Sequence, residues 1–252
     1  LPISSTGHLI LFEELFWKNT DPAFMEMFRV VIQLGAILAV IVAFFRKLNP
    51  FSRQKDAIAK RATWEMWFKV IIACLPAAVI GLPFDDKLDE VFYNFPTVAI
   101  TLILYGIVFI VIESVDRKPP KIKTISALSY KTAALIGAIQ LLALIPGTSR
   151  SGVTIIGAML LGCSRPVAAE FSFFLAIPVM FGASLLKLIK FGFHFSGLEI
   201  GILVVGMVSA FIVSVIVIRF LMGYIKKHDF KVFGWFLAML CGGNLFFIPV
   251  KS

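Results

Sequence analysis

The sequence predicts an all-α polytopic membrane protein made of two inverted repeats, each a re-entrant helix hairpin plus three transmembrane helices, with the first hairpin incomplete. Three observations predict it. Of 252 residues, 59% are hydrophobic and 15% charged, with a mean hydropathy of +0.94, whereas a soluble domain carries about 25% charged residues. The apolar residues are gathered into stretches long enough to cross a hydrocarbon layer as helices, which takes about 20 residues each. Finally, two polar, glycine-containing segments 144 residues apart interrupt shorter apolar arms.

The elements follow in chain order. Residues 9–17 form a short apolar arm behind "PISSTGH" at 2–8. Six long apolar stretches are read as spans: roughly 27–45, 66–83, 95–113, 167–190, 198–221 and 232–250. Arg29 and Gln33 lie in the first of these and Glu170 in the fourth; ionisable residues at membrane depth are costly enough to hint at function. Between the third and fourth spans, arms 132–145 and 152–163 flank "PGTSRSG" at 146–152. Each arm is too short to span, and irregular backbone at membrane depth is tolerated only where protein or a water-filled cavity surrounds it. Both polar breaks are therefore read as tips of re-entrant hairpins.

Loop charges orient the spans. Loop 46–65 holds six Lys or Arg, loop 114–131 five and loop 222–231 three, whereas "FDDKLDE" at 84–90 has one Lys against four acids and 191–198 has neither Lys nor Arg. Cytoplasmic loops collect Lys and Arg, so 27–45 runs from outside to inside and 167–190 the other way. The net charge of +9 is explained by those loops, and no aromatic-interleaved basic run points to nucleic acid. Cys74, Cys163 and Cys241 fall inside apolar segments and read as free thiols.

The two breaks superimpose. Pro2, Ser4 and Ser5 align with Pro146, Thr148 and Ser149, and the same offset carries Glu26 onto Glu170. The chain is thus one integral membrane domain, 1–252, with repeat 1 at about 1–113, a basic linker at 114–131 and repeat 2 at about 132–252. Three spans per half invert the second half relative to the first, the orientation the loop charges give separately. Inverted repeats with broken helices place their site where the breaks meet, and half-helix N-termini there favour an anion.

The combined polar set is Ser4, Ser5, Thr6, Gly7 and His8 from one break, with Thr148, Ser149, Arg150 and Ser151 from the other. Arg is permanently charged and matches a phosphate or carboxylate through paired hydrogen bonds, while hydroxyls and loop N–H groups complete a cradle. His8 titrates near neutral pH and suits proton transfer or nucleophilic attack; Ser5 is a nucleophile if His8 reaches its hydroxyl. Small hydroxyl residues also serve packing between membrane helices, but packing has no use for an Arg, which costs at least ~2.5 kcal/mol at membrane depth on insertion scales. Glu26 and Glu170, at matching helix starts, suit either a metal ion or the capping of hairpin N–H groups. Arg165 marks the cytoplasmic end of an arm, and His194 and His228 lie in loops.

"LPISSTGHLI", "VVIQLGAILAV", "IPGTSRSGVTIIGAMLLG" and "AAEFSFFLAIPVMFGAS" resemble the bacterial undecaprenyl pyrophosphate phosphatase family associated with bacitracin resistance, over essentially the whole chain. The resemblance implies removal of one phosphate from undecaprenyl pyrophosphate to give the carrier lipid of peptidoglycan synthesis. It also implies an inner-membrane location, a site open to the periplasm and a divalent cation, Mg²⁺ or Ca²⁺. It matches Ser5 to the family's nucleophile-candidate serine, His8 to its essential histidine, Arg150 to its phosphate-binding arginine, and Ser4, Thr6, Thr148 and Ser149 to its hydroxyl lining. The family carries an acidic segment directly before the first motif, which this sequence, beginning at Leu1, lacks. The expectation is therefore an N-terminally truncated chain whose metal-binding carboxylates lie upstream and which is inactive without them. Ser5, His8 and water all stay open as the nucleophile. The partners implied are the prenyl pyrophosphate and membrane lipids, with the oligomeric state open between monomer and homodimer. The competing class is a transporter or flippase of a phosphorylated prenyl lipid using the same anion site. The P-S-G-H type of lipid phosphatase is excluded, because neither His194 nor His228 has the Asp its second motif needs.

Overall fold

The computed structural model describes residues 2, 8–9, 22–92, 95–115, 119–145, 147–192 and 194–245. Ser4, Ser5, Thr6 and Gly7 lie outside them. The described chain is helical: α1 (Pro22–Val31), α2 (Gln33–Ala43), α3 (Phe45–Leu48), α4 (Ala57–Phe92), α5 (Phe95–Ser114), α6 (Tyr130–Ile139), a 3-10 helix (Gln140–Leu144), α7 (Arg150–Leu160), α8 (Arg165–Phe191), α9 (Gly197–Tyr224) and α10 (Lys231–Leu245). Five of these segments are long and apolar enough to cross a membrane: 23–43, 57–81, 97–114, 165–191 and 197–224. The sixth expected span, 232–250, is helical as far as its described residues reach.

Two boundaries differ from the sequence reading. The first span runs from Ala23 to Ala43 with one irregular turn at Ile32, beside which the Gln33 side-chain amide donates to the Arg29 carbonyl at 3.0 Å. A side chain entering the i→i−4 ladder is a recognised cause of helix irregularity. The acidic segment 84–90, expected as a loop, continues α4 through to Phe92. Nothing in "FDDKLDE" after Pro83 breaks a helix, and the 36 residues of α4 reach about 54 Å at 1.5 Å per residue, well beyond one hydrocarbon thickness. Pro76 and Pro83 lie inside that helix, as membrane helices tolerate.

Helix starts follow local chemistry. Ser129 accepts a hydrogen bond from the Thr132 N–H at the head of α6. Ser196 and Glu199 form a reciprocal capping box at the head of α9, satisfying two otherwise orphaned donors.

Packing around α8 organises the rest. Its first half, Val167 to Ala176, is buried, with α1, α2, α4 and α7 against it. Two ion pairs pin it at both ends: Lys47 of α3 meets Glu170 at 2.6 Å, and Glu26 of α1 meets Lys187 at 2.6 Å. The start of α8 therefore lies by the end of the α1–α3 segment, and its end by that segment's beginning, so the two run antiparallel. Helix α9 packs on α2 where Gly35 faces the backbone of Met207 and Phe211, leaving no room for a side chain. Such close backbone approach at small residues is how helices associate without a hydrophobic driving force in lipid. Helix α10 packs on α5 through Phe109, Phe230 and Phe233.

Candidate functional site

The second polar break is the tip of a hairpin. Helix α6 and the 3-10 helix descend to it, and α7 returns from it, the arms packing where Gly157 meets the Ile139 side chain. The turn closes with the Thr148 N–H donating to the Ile145 carbonyl at 3.1 Å. Gly147 takes φ +86°, a conformation glycine adopts without a Cβ penalty, and it sits against Val98 and Thr101 of α5. Ser149 then caps α7, its Oγ accepting from the Gly152 N–H at 3.1 Å. The Ser149 and Ser151 hydroxyls are 3.3 Å apart.

This geometry refines the expected role of Ser149, because one of its lone pairs is committed to the helix. Ser149→Ala should therefore lower the thermal midpoint of the purified protein by an amount equivalent to about 1 kcal/mol. Ser149→Asn, which keeps a capping oxygen, should restore most of it; an Ala variant as stable as the parent would remove the cap from this account.

Polar atoms without partners collect around the tip. Arg150 Nη1, Thr148 Oγ1 and both amide atoms of Gln140 are buried with no hydrogen bond. Tyr105 of α5 stands beside Thr148. Buried polar groups are nearly always satisfied, so a cluster of orphans at a helix N-terminus marks a place shaped for a ligand. All of Arg150, the Thr148 and Ser151 hydroxyls and the first N–H groups of α7 favour negative charge. Gly152, on the same turn, lies against the Phe109 ring, so α5 backs the tip with an aromatic wall.

From the first break, the described residues are Pro2, which is buried, and His8 and Leu9, which are half-buried. The His8 ring stacks on Phe236 of α10, centroids 5.7 Å apart and planes within 6°. Helix α5 packs against both α10 and α7, placing one helix in contact with the supports of both breaks. Ser4, Ser5, Thr6 and Gly7 are outside the described residues. Glu26 is exposed and holds Lys187, while Glu170 is buried and holds Lys47. Arg165 forms a two-toothed pair with Glu113 of α5, Nε to Oε1 at 2.9 Å and Nη2 to Oε2 at 2.5 Å. The same carboxylate accepts from the Phe230 N–H and so ties α5, α8 and α10 together. Sequence reading missed Glu113 because nothing local links it to a partner 52 residues away. Gln140 was missed too; its signal is a lone amide inside the apolar arm 132–145.

Mg²⁺ and Ca²⁺ are hard cations that take several carboxylate oxygens. Among the described residues no group of three His, Cys, Asp or Glu converges, and Glu26 and Glu170 are each engaged by a lysine. The described side chains do not fit such a cation.

Five helices long and apolar enough to cross a membrane, packed with a hairpin whose tip carries an arginine, hydroxyls and a helix N-terminus, define a multi-pass integral membrane protein. The family model described as "Bacitracin resistance protein BacA" matches residues 1–243. The chain belongs to that family. Among similar proteins, the undecaprenyl-diphosphatase of Acetivibrio thermocellus is 62% identical over 241 residues, covering 95% of this chain and 89% of the relative. That of Desulfitobacterium hafniense is 61% identical over 242 residues, covering 95% and 87%. An undecaprenyl-diphosphatase of Enterococcus faecalis is 59% identical over 244 residues, covering 95% and 88%.

Proposed function

We propose that this protein hydrolyses undecaprenyl pyrophosphate to undecaprenyl phosphate and inorganic phosphate, recycling the carrier lipid for peptidoglycan synthesis and conferring bacitracin resistance. The observation that carries this reading is the buried, unpartnered Arg150 Nη1 beside Thr148 at the N-terminus of α7, in a chain about 60% identical to proteins named for that activity. Arg150 and the α7 N–H groups hold the terminal phosphoryl group and offset the charge that spreads over its oxygens as the anhydride bond breaks. Ser149 holds the turn that aims them. The nucleophile is Ser5, His8 or a water molecule. If Ser5 attacks, His8 takes its proton; if His8 attacks, Ser5 joins the cradle; in either case water then releases phosphate from the enzyme. The prenyl tail lies along apolar grooves between spans. The antiparallel course of α1–α3 and α8 supports the inverted repeat, which brings the two breaks face to face. The location proposed is the bacterial inner membrane, with the site facing outward and Mg²⁺ or Ca²⁺ as cofactor.

Purified full-length protein should release phosphate from a prenyl pyrophosphate. A chelator should stop the reaction and added Mg²⁺ or Ca²⁺ restart it; full activity in chelator would remove the cofactor from the proposal. Vectorial movement of the lipid without phosphate release would replace the hydrolase with a transporter.

A further inference from the structure

Gln140 is 3% exposed, and neither its Nε2 nor its Oε1 has a hydrogen-bond partner. A buried amide left without hydrogen bonds is destabilising, so both atoms are suited to a partner that arrives with the substrate. The packing shows where it sits. Gly137 abuts the backbone of Ala73, and Gly81 abuts the Leu144 side chain, so α4 runs beside α6 and the 3-10 helix in the same direction. Cys74 is therefore level with residues just before Gln140. Arg150 opens the returning arm of the same hairpin ten residues after Gln140, with its Nη1 buried. Its orphaned Nη1 and the orphaned amide of Gln140 thus lie on the two arms of one hairpin, where the 3-10 helix packs on both α4 and α7.

We propose that Gln140 is a positioning residue of the phosphate site: its Oε1 accepts from Arg150 Nη1 and fixes the guanidinium plane, leaving its Nε2 to donate to a phosphoryl oxygen that Arg150 holds. One residue then satisfies three orphaned atoms when substrate is bound. An amide is suited to this, since it offers an acceptor to the arginine and a donor to the phosphate without adding charge. This inference rests on the phosphatase reading of the site.

The test uses full-length protein in detergent, with a prenyl pyrophosphate as substrate and inorganic pyrophosphate as competing ligand. Gln140→Leu removes both polar atoms while keeping the volume, a change that is close to neutral or stabilising when a buried group has no partner. Its thermal midpoint should match or exceed the parent's, while KM and the inhibition constant for pyrophosphate rise together by about tenfold, the worth of one hydrogen bond to a charged group. A merely structural glutamine would give the reverse pattern, lost stability with unchanged KM. Gln140→Glu keeps the acceptor for Arg150 but sets a carboxylate against the phosphate. Its KM should exceed that of Gln140→Leu and fall back toward it as the pH is lowered and the carboxyl protonates. Unchanged KM and inhibition in Gln140→Leu would overturn the inference; should that variant fail to fold, a pH-independent, parent-like KM in Gln140→Glu would overturn it. Arg150→Ala separates the two levels. If it is inactive while Gln140→Leu is unaffected, only the positioning role falls; if it too is fully active, the phosphate site itself is wrong.

Discussion

Arg150→Ala should lower phosphate release by at least about a thousandfold, and Arg150→Lys should recover little of it. Removing one preorganised donor from a site where charge develops costs about 10²–10³ in rate, and an arginine facing a transferring phosphoryl group contributes 10³–10⁵. Arg150 has both roles, because its Nη1 is already buried and unpartnered and needs no reorganisation to meet the anion. Lysine carries the charge without the planar fork, so a neighbouring acceptor such as Gln140 Oε1 could not fix it in the same way. The measurement is the initial rate of phosphate release by purified variants, with thermal unfolding alongside. The Ala variant should be no less stable than the parent, since an unpaired guanidinium at membrane depth is itself unfavourable. A variant within tenfold of parental activity would remove Arg150 from the chemistry.

Gly147→Ala is expected to be nearly as damaging, for a steric reason. At φ +86° an L-residue pays roughly 1–2 kcal/mol. The new methyl would also point into α5, 2.7 Å from Val98 Cα and 2.8 Å from its carbonyl oxygen, so backbone must move. A displacement near 1 Å at a catalytic centre can cost about a hundredfold in rate, and phosphate release should drop by at least that much, with a lower thermal midpoint. Thr101→Ala in the same background relieves only the side-chain part of the clash and should restore little. Parental activity in Gly147→Ala would mean that the tip is not held against α5 as described.

Much of this arrangement was legible in the sequence, and what was not has physical causes. Long apolar stretches announce spans because a helix in lipid has to present apolar side chains for about 20 residues, and the charge of the loops orders them. "PGTSRSG" was legible as a break because glycine, a capping serine and an arginine have no other use at that depth. The extension of α4 through 84–90 was not, since hydropathy reports where a helix leaves lipid and not where it ends. The irregular turn at Ile32 accompanies one Gln33 hydrogen bond that no periodicity encodes. The pairing of Glu113 with Arg165 joins distant parts of the chain, and a single sequence carries no trace of it. Of the first break, the structure adds the stacking of His8 on Phe236; Ser4, Ser5, Thr6 and Gly7 fall outside the described residues.

The two lysine–glutamate pairs that pin α8 also set a timetable for biogenesis. Glu170 is synthesised 123 residues after Lys47, and Lys187 161 residues after Glu26. At a translation rate of about 5–20 residues per second, the wait for Lys187 is about 8–32 s. Through that interval Glu26 and Lys47 lack the partners that later pin α8, so the packing those pairs fix is completed only when the second half of the chain arrives.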